Sequence, residues 1–155
     1  MNRTAKLASL ALLFSGLVIF LLTASDAAEL KSTAVQITIG SILASNNADD
    51  FDSRLAPLEK QLKLMKYRSY RLLKEESHDV QPRGSATFEI PGGHSLIVTH
   101  QDSNEKQIAL RVRLHQGAKP VIDTTVRINS GGNFLLGGPP HDGGALVLSI
   151  SAGAP

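Results

Sequence analysis

The stretch at 135–151, LLGGPPHDGGALVLSIS, is where this chain looks most like a chemical site: two Gly-Gly pairs enclose Pro139, Pro140, His141 and Asp142. A phosphate-cradling loop needs such glycines to let backbone N–H groups approach the anion. It also needs a lysine, a hydroxyl for the metal and a helix N-terminus behind it. Only the glycines are present: no Lys-Ser/Thr pair follows, and ALVLSIS alternates as a strand does. A hairpin accounts for every residue. Gly137 and Gly138 end one strand, Pro139 and Pro140 deny it further ladder bonds, and His141-Asp142-Gly143-Gly144 turns the chain back. Loops on rigid scaffolds often carry function, so the tip around His141 is retained as a contact surface. Small-ligand or metal binding at this tip is the alternative to protein binding.

The five histidines, His78, His94, His100, His115 and His141, would have to converge three at a time to hold zinc. His94 and His100 fall at opposite ends of one expected strand, roughly 20 Å apart at ~3.3 Å per residue, too far to share an ion. His115 falls on the polar face of its strand and His78 and His141 fall in loops, so each histidine is expected at the surface or in a turn. Hydrolysis would need a nucleophile held against a base and an oxyanion hole. The chain has no cysteine, no nucleophile-elbow pattern and no acidic pair whose local spacing suggests two catalytic carboxylates. A hydrolase is therefore the third reading, and no catalytic residue, metal ligand or cofactor is assigned.

A basic run supplies the other candidate surface. Arg54, Lys60, Lys63, Lys66, Arg68, Arg71 and Lys74 are accompanied by one acid, Glu59, between Arg54 and Lys74. Such a face could dock peptidoglycan, lipid headgroups or an acidic partner. Asp49, Asp50 and Asp52 at a helix start with bases at its end also complement the helix dipole, which requires no partner. The candidate contact residues are thus Lys60, Lys63, Lys66, Arg68 and Arg71, with Pro139, Pro140, His141 and Asp142. Tyr67 and Tyr70 have opposite parity, so on a strand one would be core and the other exposed.

These residues need elements to position them. At 34–45, AVQITIGSILAS alternates and then turns continuously apolar, the pattern of a strand. NNADDFDSR provides capping residues, after which Phe51, Leu55, Leu58, Leu62 and Met65 recur at helical spacing. A helix is expected over about 53–66, limited or kinked by Pro57. A second strand follows in KYRSYRLLKEES. From Ala86 onward the period is two: Phe88 and Ile90, Leu96 and Val98, Ile108 to Leu114, Ile122, Val126 and Ile128 with Thr124 in step, and Leu146 to Ile150 place apolar residues at even positions. Such alternation predicts antiparallel strands with one dry face. PGG, QDSNEK, QGAKP and SGGN separate the runs with turn chemistry. The expected fold is α+β and mostly β: an antiparallel sandwich-like domain over 28–155 with one amphipathic helix on a sheet. The first strand, helix and second strand are expected to form a right-handed crossover joining parallel strands. The helix is expected to cover the face bearing Leu110 and Val112.

The N-terminus reads as a secretory signal. Arg3 and Lys6 precede an apolar run at 7–22 and small residues at 23–28, so cleavage is expected after Ala27. Left uncleaved, the segment is long enough to anchor the chain in a bilayer. Either way the domain is expected outside the cytoplasm, in the periplasm or the extracellular space. Removing 1–27 takes two cations and one anion from a net charge of +2. The near-neutral remainder calls for neither nucleic acid nor an anionic membrane. Without cysteine or tryptophan, the core has to come from Leu, Ile and Val.

The layout of signal, one amphipathic helix, YRSYRLL, IPGGHSLIV and the closing LLGGPPHDGGALVLSISA resembles a group of small, uncharacterised exported bacterial proteins over most of the mature chain. The resemblance implies a bacterial envelope location and carries over no catalytic or binding residue. The resulting expectation is a non-catalytic binding or assembly module whose partner is an envelope protein or cell-wall component. Membrane contact is expected only if the N-terminal segment stays on. An open sheet edge is the expected means of capture.

Overall fold

A computed structural model describes residues 34–155; the expected signal segment and its cleavage point lie outside the described residues. Among the described residues no helix is long and apolar enough to cross a membrane. Eight strands dominate: β1 (Val35–Ser45), β2 (Ser69–Val80), β3 (Ser85–Ile90), β4 (His94–Ser103), β5 (Gln107–Gln116), β6 (Lys119–Asn129), β7 (Asn133–His141) and β8 (Gly144–Gly153). They form two four-stranded antiparallel sheets, β2-β1-β8-β7 and β3-β4-β5-β6. Because β1 pairs with β8, the chain closes a ring of sequence neighbours interrupted at two seams, β2/β3 and β6/β7.

The period-two pattern explains the packing. Phe88, Leu96, Val98, Leu110, Val112, Leu114, Leu146, Leu148 and Ile150 are all fully buried and, with the odd residues Val35, Ile37 and Ile39 of β1, form the core between the sheets. Parity also carries His94 and His100 inward, both buried, against the expectation of surface histidines. The pleat gives a side chain only two directions, and both residues share the face of Leu96 and Val98.

Two further expectations are corrected. β1 and β2 pair antiparallel, from Val35 opposite Val80 to Ser45 opposite Ser69, so there is no parallel crossover. Hydrogen bonds pin the connection at the end of β1 that it leaves from: Arg68 N donates to Ser45 O, Asp52 N to Tyr70 O and Tyr70 N to Asp50 O. A segment tied there cannot return along the sheet to start a parallel strand.

The helical region is also shorter and less regular than one helix over 53–66. It is a 3-10 turn at Ser53–Leu58, one α turn (α1, Glu59–Leu62) and a second 3-10 turn at Lys63–Met65. Pro57 lies inside the first turn and cannot donate the i→i−4 bond that an α-helix needs there. The region packs on the outer face of the β2-β1-β8-β7 sheet, where Leu55 and Leu62 meet Ile42, Ala44, Tyr70 and Val147. Leu110 and Val112 are unavailable to it because the opposite sheet covers them. The continuously apolar Ile42-Leu43-Ala44 of β1 is thereby buried on both faces.

Candidate functional site

The Gly-rich stretch is a hairpin. β7 and β8 are joined by a two-residue turn at Asp142 and Gly143, with φ of 44° and 74°. An Asp-Gly pair suits such a turn because its twist matches that of the flanking strands. Gly137 and Gly138 do not end the strand: pairing shifts after Gly137 and resumes at Pro140 opposite Ala145. Pro139 and Pro140 lie on the outermost strand of their sheet, where proline is tolerated. Gly144 is needed for close approach: a Cβ there would lie 2.2 Å from Ala44 O and 2.9 Å from Ser45 Cβ. Asn47 Nδ2 donates to Gly143 O at 3.4 Å and ties the turn to the segment following β1.

His141 packs across the top of the sandwich. A Cβ on Gly92 would lie 3.0 Å from His141 Nδ1 and 3.3 Å from His94 Nδ1, so one imidazole from each sheet faces this turn glycine. Two ligands fall short of the four-coordinate set of structural zinc, and among the described residues no group of three or more His, Cys, Asp or Glu is placed to hold a metal. His78 is on strand β2 rather than in a loop, with Nε2 2.7 Å from Glu76 Oε1. His100 is 1% exposed, and neither ring nitrogen has a protein hydrogen-bond partner.

The basic run divides into two groups. Lys60, Lys63, Lys66 and Arg68 lie on the helical region and its exit; Lys63 pairs with Glu59 at 2.6 Å and Arg68 with Asp49 at 3.3 Å. Both pairs are exposed, and such pairs contribute little. Leu64, 79% exposed, sits among them. Tyr70 is core and Tyr67 half-buried, but both rings stay on the helix side, edge to face at 6.3 Å. Arg71 is separate: with Asp142 it lines a polar cleft of about 230 Å³, together with Leu43, Ser45, Asn47, Ala48, Asp50 and Ser69. Of the nine candidate contact residues, Arg71 and Asp142 share this cleft, and Lys63 and Arg68 share a second, with Asp49, Asp50, Phe51, Tyr67 and Tyr70. The other members of the Arg71 cleft come from two strands and the segment after β1, and no local spacing marks them in the sequence.

Asp52 joins the helical region to the sheet. Its carboxylate accepts from Arg54 Nη2 at 2.6 Å and Nε at 3.0 Å, from Arg54 N at 3.0 Å and from Leu72 N at 3.1 Å. The Arg54 side chain first, then the backbone N–H groups, hold Asp52 well below the ordinary carboxylate range. A folded-state pKa that is depressed gives stability present above the unfolded value and lost as pH falls through the folded one. Asp52→Asn is therefore expected to lower stability most above about pH 5, with the gap to the parent closing below about pH 4. Urea titrations at several pH values measure this; a pH-independent gap would remove the assignment.

The two seams differ in chemistry. At β2/β3, Lys74 Nζ donates to Glu89 O at 3.1 Å and pairs with Glu76 at 2.9 Å, and His78 lies edge-on to Phe88 with centroids 4.9 Å apart. Lys74 and His78 hold Glu76 below its usual range. At β6/β7, among the described residues, no side-chain hydrogen bond or ion pair joins the two strands. Instead Phe134 is 38% exposed, and Ile122 and Leu136 are partly buried against the core.

Comparison with protein-family models, with curated proteins and with solved structures finds no match for this chain.

Proposed function

We propose that this chain is an exported, non-catalytic binding or assembly module of a bacterial envelope that captures a partner protein by accepting one of its strands along β6. The observation that carries this reading is the difference between the sheet edges. Open edges invite backbone pairing, and native proteins blunt them with bulges, prolines, charges or shortness. β2 has a register shift and a run of charged residues, β3 spans six residues, and β7 has a register shift with two prolines. β6 also has a register shift, at Val121 beside its proline, but both are confined to the start of the strand: from Ile122 to Asn129 it pairs with β5 in unbroken register, with Asp123 and Arg127 as its charged residues. Its own Ile122, and Phe134 and Leu136 on β7, are incompletely covered. An extended partner segment with alternating apolar residues could bond to the β6 backbone while covering this row. The N-terminal signal pattern and the resemblance to exported bacterial proteins support the location.

Adjacent strand residues direct their N–H groups to opposite sides, so of Thr124→Pro and Thr125→Pro one interrupts the β5–β6 ladder and the other only the free edge. Circular dichroism and melting identify the edge variant by its retained fold. In the native envelope, a photo-reactive residue replacing Val121 is expected to form a discrete adduct that the edge variant loses. The same adduct in both proteins would reject strand addition.

A further inference from the structure

We propose that the cleft between the end of β1, the start of β2 and the β7–β8 turn binds a small zwitterion of the amino-acid class, with its carboxylate on Arg71 and its ammonium on Asp142 and Asp50. This goes beyond the strand-capture reading and uses none of its residues. Arg71 is placed by the ladder, opposite Leu43 of β1. Asp142 is placed by the left-handed first position of the turn, which Asn47 holds against the strand end. Asp50 is fixed by a side-chain hydrogen bond from Ser69 and by Tyr70 N donating to its carbonyl at 3.1 Å. The charges therefore sit on three separately anchored pieces of backbone.

Arg71 forms no ion pair with either acid, although all three line one cleft. Opposite charges held in one cleft without pairing keep their hydrogen-bonding capacity for something placed between them. The combination also selects the ligand. A simple anion would meet two carboxylates beside the arginine, and a metal cation would meet the guanidinium beside the carboxylates. A molecule bearing both signs satisfies both. At about 230 Å³ the cleft is smaller than the roughly 300–1,000 Å³ of drug-sized sites, so it suits a free amino acid or a very short peptide. Ser45 and Asn47 offer further hydrogen bonds, and Leu43 and Ala48 provide an apolar wall for a small side chain.

Isotope-labelled protein titrated with glycine, 4-aminobutyrate and glycylglycine, followed by amide resonances, tests this. Acetate and methylammonium serve as single-charge controls. The zwitterions are expected to move the amides of Asn47, Ser69, Arg71 and Gly143 at concentrations where the controls do not. The tightest of the three distinguishes a free amino acid from a peptide. Arg71→Gln and Asp142→Asn should each weaken binding at least tenfold, and Asn tolerates the left-handed position, which keeps the turn intact. The β6 edge variant should titrate like the parent, so this site and strand capture fail separately. No response to any zwitterion, an equal response to acetate, or undiminished binding by both folded variants would overturn the proposal.

Discussion

Gly144→Ala is expected to remove a large part of the stability of the fold, whereas Gly137→Ala, seven residues earlier in the same Gly-rich stretch, should be nearly silent. A Cβ at Gly144 would lie 2.2 Å from the carbonyl oxygen of Ala44 and 2.9 Å from Ser45 Cβ. Neither is the end of a flexible side chain. The clash can be relieved only by moving the start of β8 away from the end of β1, and those strands close the ring. Overpacking of this kind costs about 3 kcal/mol or more where the backbone itself must give. That is a large part of the roughly 5–15 kcal/mol available to a domain. At Gly137 the added Cβ meets nothing within 4 Å. Urea unfolding of the pair measures the contrast; equal stabilities would show that β1 and β8 do not approach as described. The same contrast defines the role of these glycines: closeness of two backbones is required at Gly144, and no phosphate needs to be present.

Alternation made the inter-sheet core legible, because a period of two leaves each side chain one of two directions and the apolar ones take the dry side. Phe88, Leu110, Val112 and Leu148 could therefore be placed from the sequence alone. The same alternation carries His94 and His100 to the dry side, so position on the pleat and not side-chain polarity decides their burial. Helical spacing correctly marked Leu55 and Leu62 as apolar anchors, but the surface they cover depends on Ile42 and Val147 becoming neighbours across β1 and β8. That pairing joins residues far apart in the chain and leaves no local signal. The polar cleft was illegible for the same reason. Arg71 and Asp142 each stood out locally, one in a basic run and one in a turn, while Ser45, Asn47, Asp50 and Ser69 read as capping or strand residues. Only closure of the ring brings the β7–β8 turn to the end of β1.

Phe88→Ala is the other change expected to have a large effect, and it separates the two seams. Phe88 is 0% exposed and its ring meets His78 edge-on, with centroids 4.9 Å apart. Truncating a buried phenylalanine to alanine costs about 3–5 kcal/mol, from the lost transfer energy and from the cavity left behind. The cavity would sit under the β2/β3 seam, so His78 would lose its aromatic support while Glu76 and Lys74 stay paired. Phe134 occupies the other seam and is 38% exposed. Its truncation removes less buried surface than that of Phe88 and leaves no enclosed cavity, so it should cost about 1–2 kcal/mol. Should β6 receive a partner strand, Phe134→Ala should weaken capture with only a modest drop in melting temperature, and Phe88→Ala should lower the melting temperature by many degrees. Equal losses of stability would mean that the β6/β7 seam is packed as tightly as its counterpart, leaving no uncovered apolar row for a partner to occupy.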